Sequence, residues 1–396
     1  MTGAKSFTMI AKTLSGLEDV LAAELEELGA SEVRPMSRSV SFKGAQSILY
    51  RANLWSRLAM RFLVCLRTFR ITKNDDLYRT VKDIDWRVFL NPDDTLAVDS
   101  FIFNSIFNHS RYASQLVKDA VVDQFRERYG RRPSVDFDNP RVRINLYISG
   151  REAILALDSS GEALSRRGYR TEAGEAPLSE VLAAGIIALT GWDGKSSFID
   201  GMCGSGTFVI EAAMKARRMA PGLLLNTFGF MKWKDYDAAL FEKIRREAKA
   251  MILPKIPFEI VGSDVEQERV AEARSNARRA GVEKNIRLEC IPFKDQTPPP
   301  PPGVLVINPP YDKRMPVEDV ASLYRMIGDA LKQRYNGYAA FIFTGSAEGV
   351  KNVGLRTSKR IMLYNGPLEC RLLSYEMYEG SRKKSKDLSF PATEEE

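Results

Sequence analysis

Residues 198–218 constrain the fold more than any other stretch of the chain. Phe198-Ile199-Asp200 ends an apolar run on an acid, Gly201-Met202-Cys203-Gly204-Ser205-Gly206-Thr207 forms a tight loop, and residues 208–218 carry Phe208, Val209, Ala212 and Ala213 at helical spacing. Strand, glycine loop and helix in that order are the nucleotide-binding opening of a doubly wound α/β sheet. Gly204 and Gly206 let the backbone come close to a ligand, and Thr207 and its neighbours bring the free N–H groups of a helix start. The spacing is not G-x-G-x-x-G, which argues against a dinucleotide. No Lys-Ser/Thr pair follows the glycines, which argues against a P-loop.

A sheet of this kind is expected to hold a ribose with an acid at the end of its second strand. Residues 258–264 supply one: an apolar run ends on Asp264 and a helical stretch, 267–280, follows until Gly281. The distance from the glycine loop far exceeds the ~20 residues of a simple βαβ unit. The excess, residues 219–256, opens with Ala220-Pro221-Gly222, contains a helical stretch at 236–251, and reads as an insertion. A third strand, 286–290, leads through Pro292-Phe293-Lys294 to Asp295, placed where an adenine amine could be held. An ordinary N-cap also fits Asp264, and a solvated loop acid also fits Asp295.

The fourth strand carries the chemistry. Residues 304–311 read Val-Leu-Val-Ile-Asn-Pro-Pro-Tyr, an apolar run that stops at Asn308. The exocyclic amine of guanine or adenine is a poor nucleophile because its lone pair is delocalised into the ring. The side-chain oxygen of Asn308 and the carbonyl of Pro309 can each accept one N–H, turning that lone pair toward a sulfonium methyl and stabilising the charge that develops. Pro310 fixes its own φ near roughly −65° and biases Pro309 toward extended geometry. Tyr311 would stack on a base taken out of its helix. Alone, Pro-Pro after a strand fits a rigid turn equally well.

Taken together, Asp200 to Thr207, Glu211-Ala212-Ala213, Ala220-Pro221-Gly222 and Asn308 to Tyr311 resemble the bacterial 23S rRNA guanine-N2 methyltransferases that carry a THUMP domain. The resemblance runs from near the N-terminus to about Gly380. It implies S-adenosylmethionine as cofactor, held by Asp200, Gly204, Gly206, Thr207, Asp264, Asp295 and Asn308, and a catalytic role for Asn308, Pro309, Pro310 and Tyr311. One departure is Gly201, where relatives usually have Pro, expected to loosen the loop without changing a contacting group. Some members are fused to a second methyltransferase, and this sequence is expected to end too early to hold one.

Composition excludes rivals. With 396 residues the chain has room for two or three domains, and its net charge of +7 suits a polyanion such as RNA. It opens without a signal-peptide pattern and holds no apolar run near the ~18 residues of a membrane span, so a cytoplasmic location is expected. A single histidine, His109, eliminates Ser-His-Asp and Cys-His catalysis and disfavours zinc, so no metal is expected. Cys65, Cys203, Cys290 and Cys370 form no C-x-x-C pair, and Cys203 reads as packing in a loop that needs small residues. That disfavours a covalent cysteine mechanism.

The first 158 residues have a different, α+β character. Ser15-Gly16-Leu17-Glu18 reads as a capping box opening a helix with Leu17, Val20, Leu21, Leu25 and Leu28 on one face. Further helices are expected at 45–58 and 110–129, and strands at 60–69, 95–103, 141–149 and 152–158. By resemblance, residues 1–43 are a ferredoxin-like segment and 44–158 a THUMP RNA-binding domain. Arg111, Lys118, Arg126, Arg128, Arg131, Arg132, Arg141 and Arg143 are candidates for a phosphate-contacting face, though a solvated face fits each equally. Residues 159–177 read as a linker, and the resemblance implies that this region packs beside the methyl donor, with Tyr169 and Arg170 as candidate contacts. The methyltransferase domain is expected over 178–380, with a helix at 178–189. It ends with a helix at 317–335, a strand at 338–344, and strands at 360–364 and 369–378 joined tightly enough to be antiparallel. Pro298 to Pro302 reads as a stiff surface connection and 381–396 as a disordered charged tail.

The fold expected is therefore α/β, a doubly wound class I methyltransferase sheet with a C-terminal antiparallel hairpin behind an α+β ferredoxin-like and THUMP region. The function expected is methyl transfer to guanine N2 of 23S rRNA, with RNA as partner and oligomeric state unread. A tRNA guanine-N2 methyltransferase, a DNA adenine-N6 methyltransferase and a non-catalytic RNA-binding assembly factor are the alternatives. The DNA enzyme is disfavoured because no target-recognition insert is evident.

Overall fold

The computed structural model describes residues 6–170, 178–310 and 317–377, which build two sheets. The first comprises β1 (Phe7–Lys12), β2 (Ser31–Met36), β3 (Ser39–Gly44), β4 (Arg61–Arg70), β5 (Thr95–Phe103), β6 (Ser134–Val135), β7 (Val142–Ser149) and β8 (Glu152–Asp158), in the order β2-β3-β1-β4-β8-β7-β5-β6. Its helices are α1 (Glu18–Glu27), α2 (Gln46–Trp55), α3 (Asn74–Lys82) and α4 (Ser110–Tyr129). Strand β4 is the seam. Its first residues pair with β1, Lys12 opposite Arg61, and its remainder pairs with β8 down to Arg70 opposite Glu152. The two N-terminal segments thus share one sheet.

The expected helix at 15–28 starts later than its sequence signal. Its N-cap is Leu17, with no side-chain cap, because the chain turns through Gly16 at φ +88° just before the helix begins. The expected capping box does not form, since Glu18 Oε2 takes the Gly16 N–H, at 2.7 Å, in place of that of Ser15. The other Glu18 oxygen takes the Arg38 N–H at 2.8 Å.

The second sheet comprises β9 (Ser197–Asp200), β10 (Ile260–Asp264), β11 (Arg287–Cys290), β12 (Gly303–Ile307), β13 (Tyr338–Thr344), β14 (Lys359–Asn365) and β15 (Leu368–Glu376), in the order β11-β10-β9-β12-β13-β15-β14. Helices α5 (Glu180–Leu189), α6 (Thr207–Ala216), α8 (Gln267–Arg279), α9 (Val317–Arg334) and α10 (Ala347–Asn352) belong to this half, whereas α7 (Ala238–Ala250) packs on α2 of the first. β9 to β13 run parallel, and β15 lies antiparallel to both β13 and β14. That is the doubly wound sheet with a hairpin finish that the sequence led us to expect. Apolar residues alternate between two cores. Phe198, Val304 and Val306 pack toward α5 and α6, while Ile199, Val261, Leu305 and Ile307 pack toward Tyr324 and Ile327 of α9. The strands run outward from β9 to β11 and then return to β12, so the order reverses between β9 and β12, where such sheets open a ligand crevice.

The segment between α6 and β10 bridges the halves. Phe230 stacks on Tyr50 of α2 at 4.5 Å between ring centroids and meets Phe241 of α7 edge-on at 5.1 Å. Lys234 Nζ donates to the carbonyls of Arg87 and Leu90, both at 2.8 Å. Among the described residues no helix is long and apolar enough to cross a membrane.

Candidate active site

A cavity of about 620 Å³ opens over the carboxyl ends of β9, β10 and β12, within the ~300–1,000 Å³ usual for small-molecule sites. Its wall takes Asp200 and the glycine loop from β9, Asp264 from β10, and Asn308 and Pro310 from β12. Leu178, Phe208, Pro292 and Phe293 add apolar surface, and Leu323 and Met326 reach it from α9. Asp200, Gly204, Thr207, Asp264, Asn308 and Pro310 are therefore brought together as the sequence suggested.

The loop is fixed by the strand ends themselves. Asp264 accepts the Gly204 N–H at 2.9 Å and the Glu266 N–H at 3.1 Å, while Cys203 N–H donates to the Ser263 carbonyl at 2.9 Å. Gly204 has φ +50° and open space where a Cβ would stand, so the cavity reaches its backbone. Gly206, at φ +86°, serves packing instead, because a Cβ there would meet Ala273 Cβ at 2.9 Å. Asp200 is buried and accepts one N–H, from Met202 at 3.2 Å. Burial, opposed by that bond and reinforced by the Asp264 charge, pushes its carboxyl up to about 8. Burial raises the Cys203 thiol well above its usual range, which keeps it protonated and suits its packing role.

Asn308 presents the most telling atom. Its Oδ1 is buried and has no hydrogen-bond partner among the described residues, although the residue lines the cavity. A buried acceptor left open costs roughly 1–3 kcal/mol, so its partner is to be sought in a ligand. Pro309 is buried beside it; Tyr311 lies outside the described residues.

Two expectations change. Asp295 is exposed and outside the cavity wall, because the short 3-10 turn Phe293–Asp295 directs Pro292 and Phe293 inward instead. Gly201 does not loosen the loop. A Cβ there would lie 2.1 Å from Phe293 Cδ2, so the glycine makes room for a ring that also stacks on Tyr335 at 5.3 Å.

Behind the loop stands a buttress of which the sequence marks only Tyr169 and Arg170, and those as donor contacts. Asn276 of α8 donates to the Ser205 carbonyl at 2.9 Å, and Arg279 donates to both Asn276 Oδ1 and the Tyr169 carbonyl at 2.6 Å. Arg170 donates to Thr207 Oγ1 and, at 2.9 Å, to the Leu178 carbonyl. Tyr169 is buried, with its hydroxyl on Glu211. These residues support the site from behind. Helical spacing alone could have paired Leu323 with Met326 on α9.

Comparison with known proteins fits this geometry. Residues 167–374 match the model of the RMKL-like methyltransferase domain, residues 72–158 the THUMP domain, and residues 8–63 the RlmL ferredoxin-like domain. The chain belongs to the RMKL-like methyltransferase family. It is 42% identical over 364 residues to a Synechocystis protein described as a candidate RNA methyltransferase, covering 92% of this chain and 95% of that one. It is also 42% identical to the ribosomal RNA large subunit methyltransferase K/L of Syntrophotalea carbinolica, covering 92% of this chain and 53% of that protein. The chain thus spans about half the length of that relative. The crystal structure of SMU.472, a candidate methyltransferase complexed with SAH, superposes with a TM-score of 0.87 at 30% identity, covering 95% of this chain and 100% of that one.

Within this family member, most of the expected phosphate-contacting cations already have acidic partners. Lys118 pairs with Asp119, Arg126 with Asp123, Arg131 with Asp93, Arg141 with Asp94 and Arg143 with Asp99. Among the described residues, Arg111, Arg128 and Arg132 are exposed and enter no ion pair.

Proposed function

We propose that the chain transfers a methyl group from S-adenosylmethionine to the exocyclic N2 of a guanine in 23S rRNA. The observation that carries this reading is the buried, unpartnered Oδ1 of Asn308 in the wall of a cavity that also holds Asp200 and the glycine loop. S-adenosylmethionine, when bound, supplies an electrophilic methyl on a sulfonium centre.

The residues present fit such a donor. Asp264, already held by two backbone N–H groups, keeps lone pairs for ribose hydroxyls. The open side of Gly204, the helix start at Thr207 and buried Asp200 suit the amino-acid end, with Gly206 shaping the loop. Asn308 Oδ1 and the Pro309 carbonyl accept the two amine hydrogens, Pro310 holds that carbonyl in place, and Tyr311 stacks on the base. The amine's surplus proton leaves to water after transfer, so no general base is required. Asp295 stands outside this set.

The test uses radiolabelled donor and ribosomal RNA from cells lacking this protein, followed by mapping of the modified nucleotide. N2-methylguanine in 23S rRNA is the expected product. Labelling of tRNA instead would assign the substrate to that class. Donor binding without transfer to any RNA would leave an assembly factor.

A further inference from the structure

The first sheet has helices on one face. Leu96, Val98 and Ile102 of β5 and Ile144, Leu146 and Ile148 of β7 form a core with α4. Ser100, of the same parity, bonds to Ser110 and Ser114 of that helix. Side chains alternate along a strand, so Phe101, Phe103 and Tyr147 stand on the opposite face, with Phe101 directly beside Tyr147. Phe101 is 62% and Phe103 61% exposed. Two large rings standing so far out of a regular strand have no packing role. Lys12 Nζ, on the same face, lies 4.9 Å from the Tyr147 ring centroid.

A second observation lies at the other end of the same face. A cleft of about 330 Å³ is lined by Arg61, Arg141, Arg143, Arg166 and Lys232. Three acids share the lining, Asp138, Asp158 and Glu162, and three of the five cations are already paired, Arg61 with the buried Asp158, Arg141 with Asp94 and Arg143 with Asp99. Arg166 is exposed and pairs with no acid among the described residues. Lys232 belongs to the segment that bridges to the catalytic sheet, so the cleft leads from the aromatic face toward that half. Six residues, or ~20 Å of strand, separate Arg143 from Ser149, which lies opposite Phe103.

We propose that this open face is a single-strand RNA platform: bases stack on Phe101, Phe103 and Tyr147, and the phosphates of the same strand enter the basic cleft. The inference rests on the reading that the substrate is RNA, and adds which form of RNA is bound and where. A duplex hides the faces of its bases, whereas an unpaired strand offers them to rings standing on a sheet. Cations at one end and aromatics at the other match a chain of alternating charge and π-surface.

The experiment measures binding of a labelled single-stranded oligoribonucleotide and a blunt duplex of the same sequence by fluorescence anisotropy. Phe101→Ala/Phe103→Ala should weaken the single strand by ~10- to 100-fold, from roughly 1–3 kcal/mol per stacked base, and the duplex much less. Arg166→Ala should lower the salt dependence of single-strand binding by roughly one released counterion. S-adenosylhomocysteine affinity and thermal stability should stay at wild-type values in both variants. Unchanged single-strand affinity in the phenylalanine variant, equal loss for the duplex, or tighter wild-type binding of the duplex overturns the platform. Methylation of ribosomal RNA by the wild type is followed separately. Its absence overturns the function, whereas methylation together with unaltered oligonucleotide binding in the variant overturns the platform alone.

Discussion

Asp200 sits where a negative charge is costly, and this makes donor binding pH-dependent. Its carboxyl is raised from the ordinary 3.8 to about 8 by burial first, with Asp264 nearby. A carboxyl raised on folding binds its proton more tightly in the native state. Its contribution to stability is therefore full below about 4 and is lost as pH rises to about 8. A cationic donor favours the ionised form, so the thermal stabilisation given by S-adenosylmethionine should grow as pH rises through this window. Asp200→Asn should flatten that growth, and a wild-type stabilisation independent of pH from 6 to 9 would contradict the assignment. Asn308 acts on the other reactant. Asn308→Ala should lower kcat by about 10²-fold, the loss typical of one preorganised polar contact, while donor affinity measured by calorimetry stays nearly constant. Collapse of donor binding instead would place the amide on the donor. At Gly201, whose absent Cβ leaves space for the Phe293 ring, Gly201→Ala should destabilise the protein by ~1–3 kcal/mol through overpacking. Adding Phe293→Leu should recover part of this in urea melts.

Elements show why one half of the site could be read from the sequence and the other could not. β9 and β12 are buried along their whole length, and each is an apolar run that stops on a chemically distinctive residue, Asp200 or Asn308. β10 ends on Asp264 in the same way. Such strands announce both their burial and their end. β2 is the opposite case. Pairing only with β3 at the sheet edge, it is almost wholly exposed and contains Pro35, so no alternation marks it. α3 is largely polar and was not expected from the sequence. Asp295 falls outside the cavity wall for a related reason: strand periodicity locates the end of β11 but not the direction of the 3-10 turn behind it. The loop buttress is equally silent, since Asn276 and Arg279 look like ordinary polar residues of α8. Removing it is informative. Asn276→Ala should weaken donor binding about fivefold, the equivalent of one hydrogen bond of ~1 kcal/mol, without touching the donor. An unchanged affinity would mean that the loop holds its shape from Asp264 alone.

The molecule as a whole is joined by buried polar groups as well as aromatics. Arg167 and Glu211 are each 1% exposed and approach to 3.5 Å where the linker meets α6. Arg167 also donates to the carbonyls of Leu164 at 2.7 Å and Arg57 at 2.6 Å, and Arg57 reaches the Met219 carbonyl at 2.7 Å. One guanidinium thus ties the end of α2, the linker and the catalytic half together. An aliphatic pair of similar volume could hold these surfaces about as well, because desolvating two charges offsets most of their attraction. A single replacement is different. Arg167→Leu leaves Glu211 buried beside Tyr169 without its ion-pair partner, and should cost ~3–5 kcal/mol. Arg167→Leu/Glu211→Leu should restore much of that loss, which urea unfolding of the four proteins of the double-mutant cycle would measure. The same variants separate connection from chemistry. If the pair only joins the halves, the double variant keeps wild-type donor affinity despite the changed linker. If it also sets the position of Tyr169 behind the glycine loop, stability returns while donor affinity remains low.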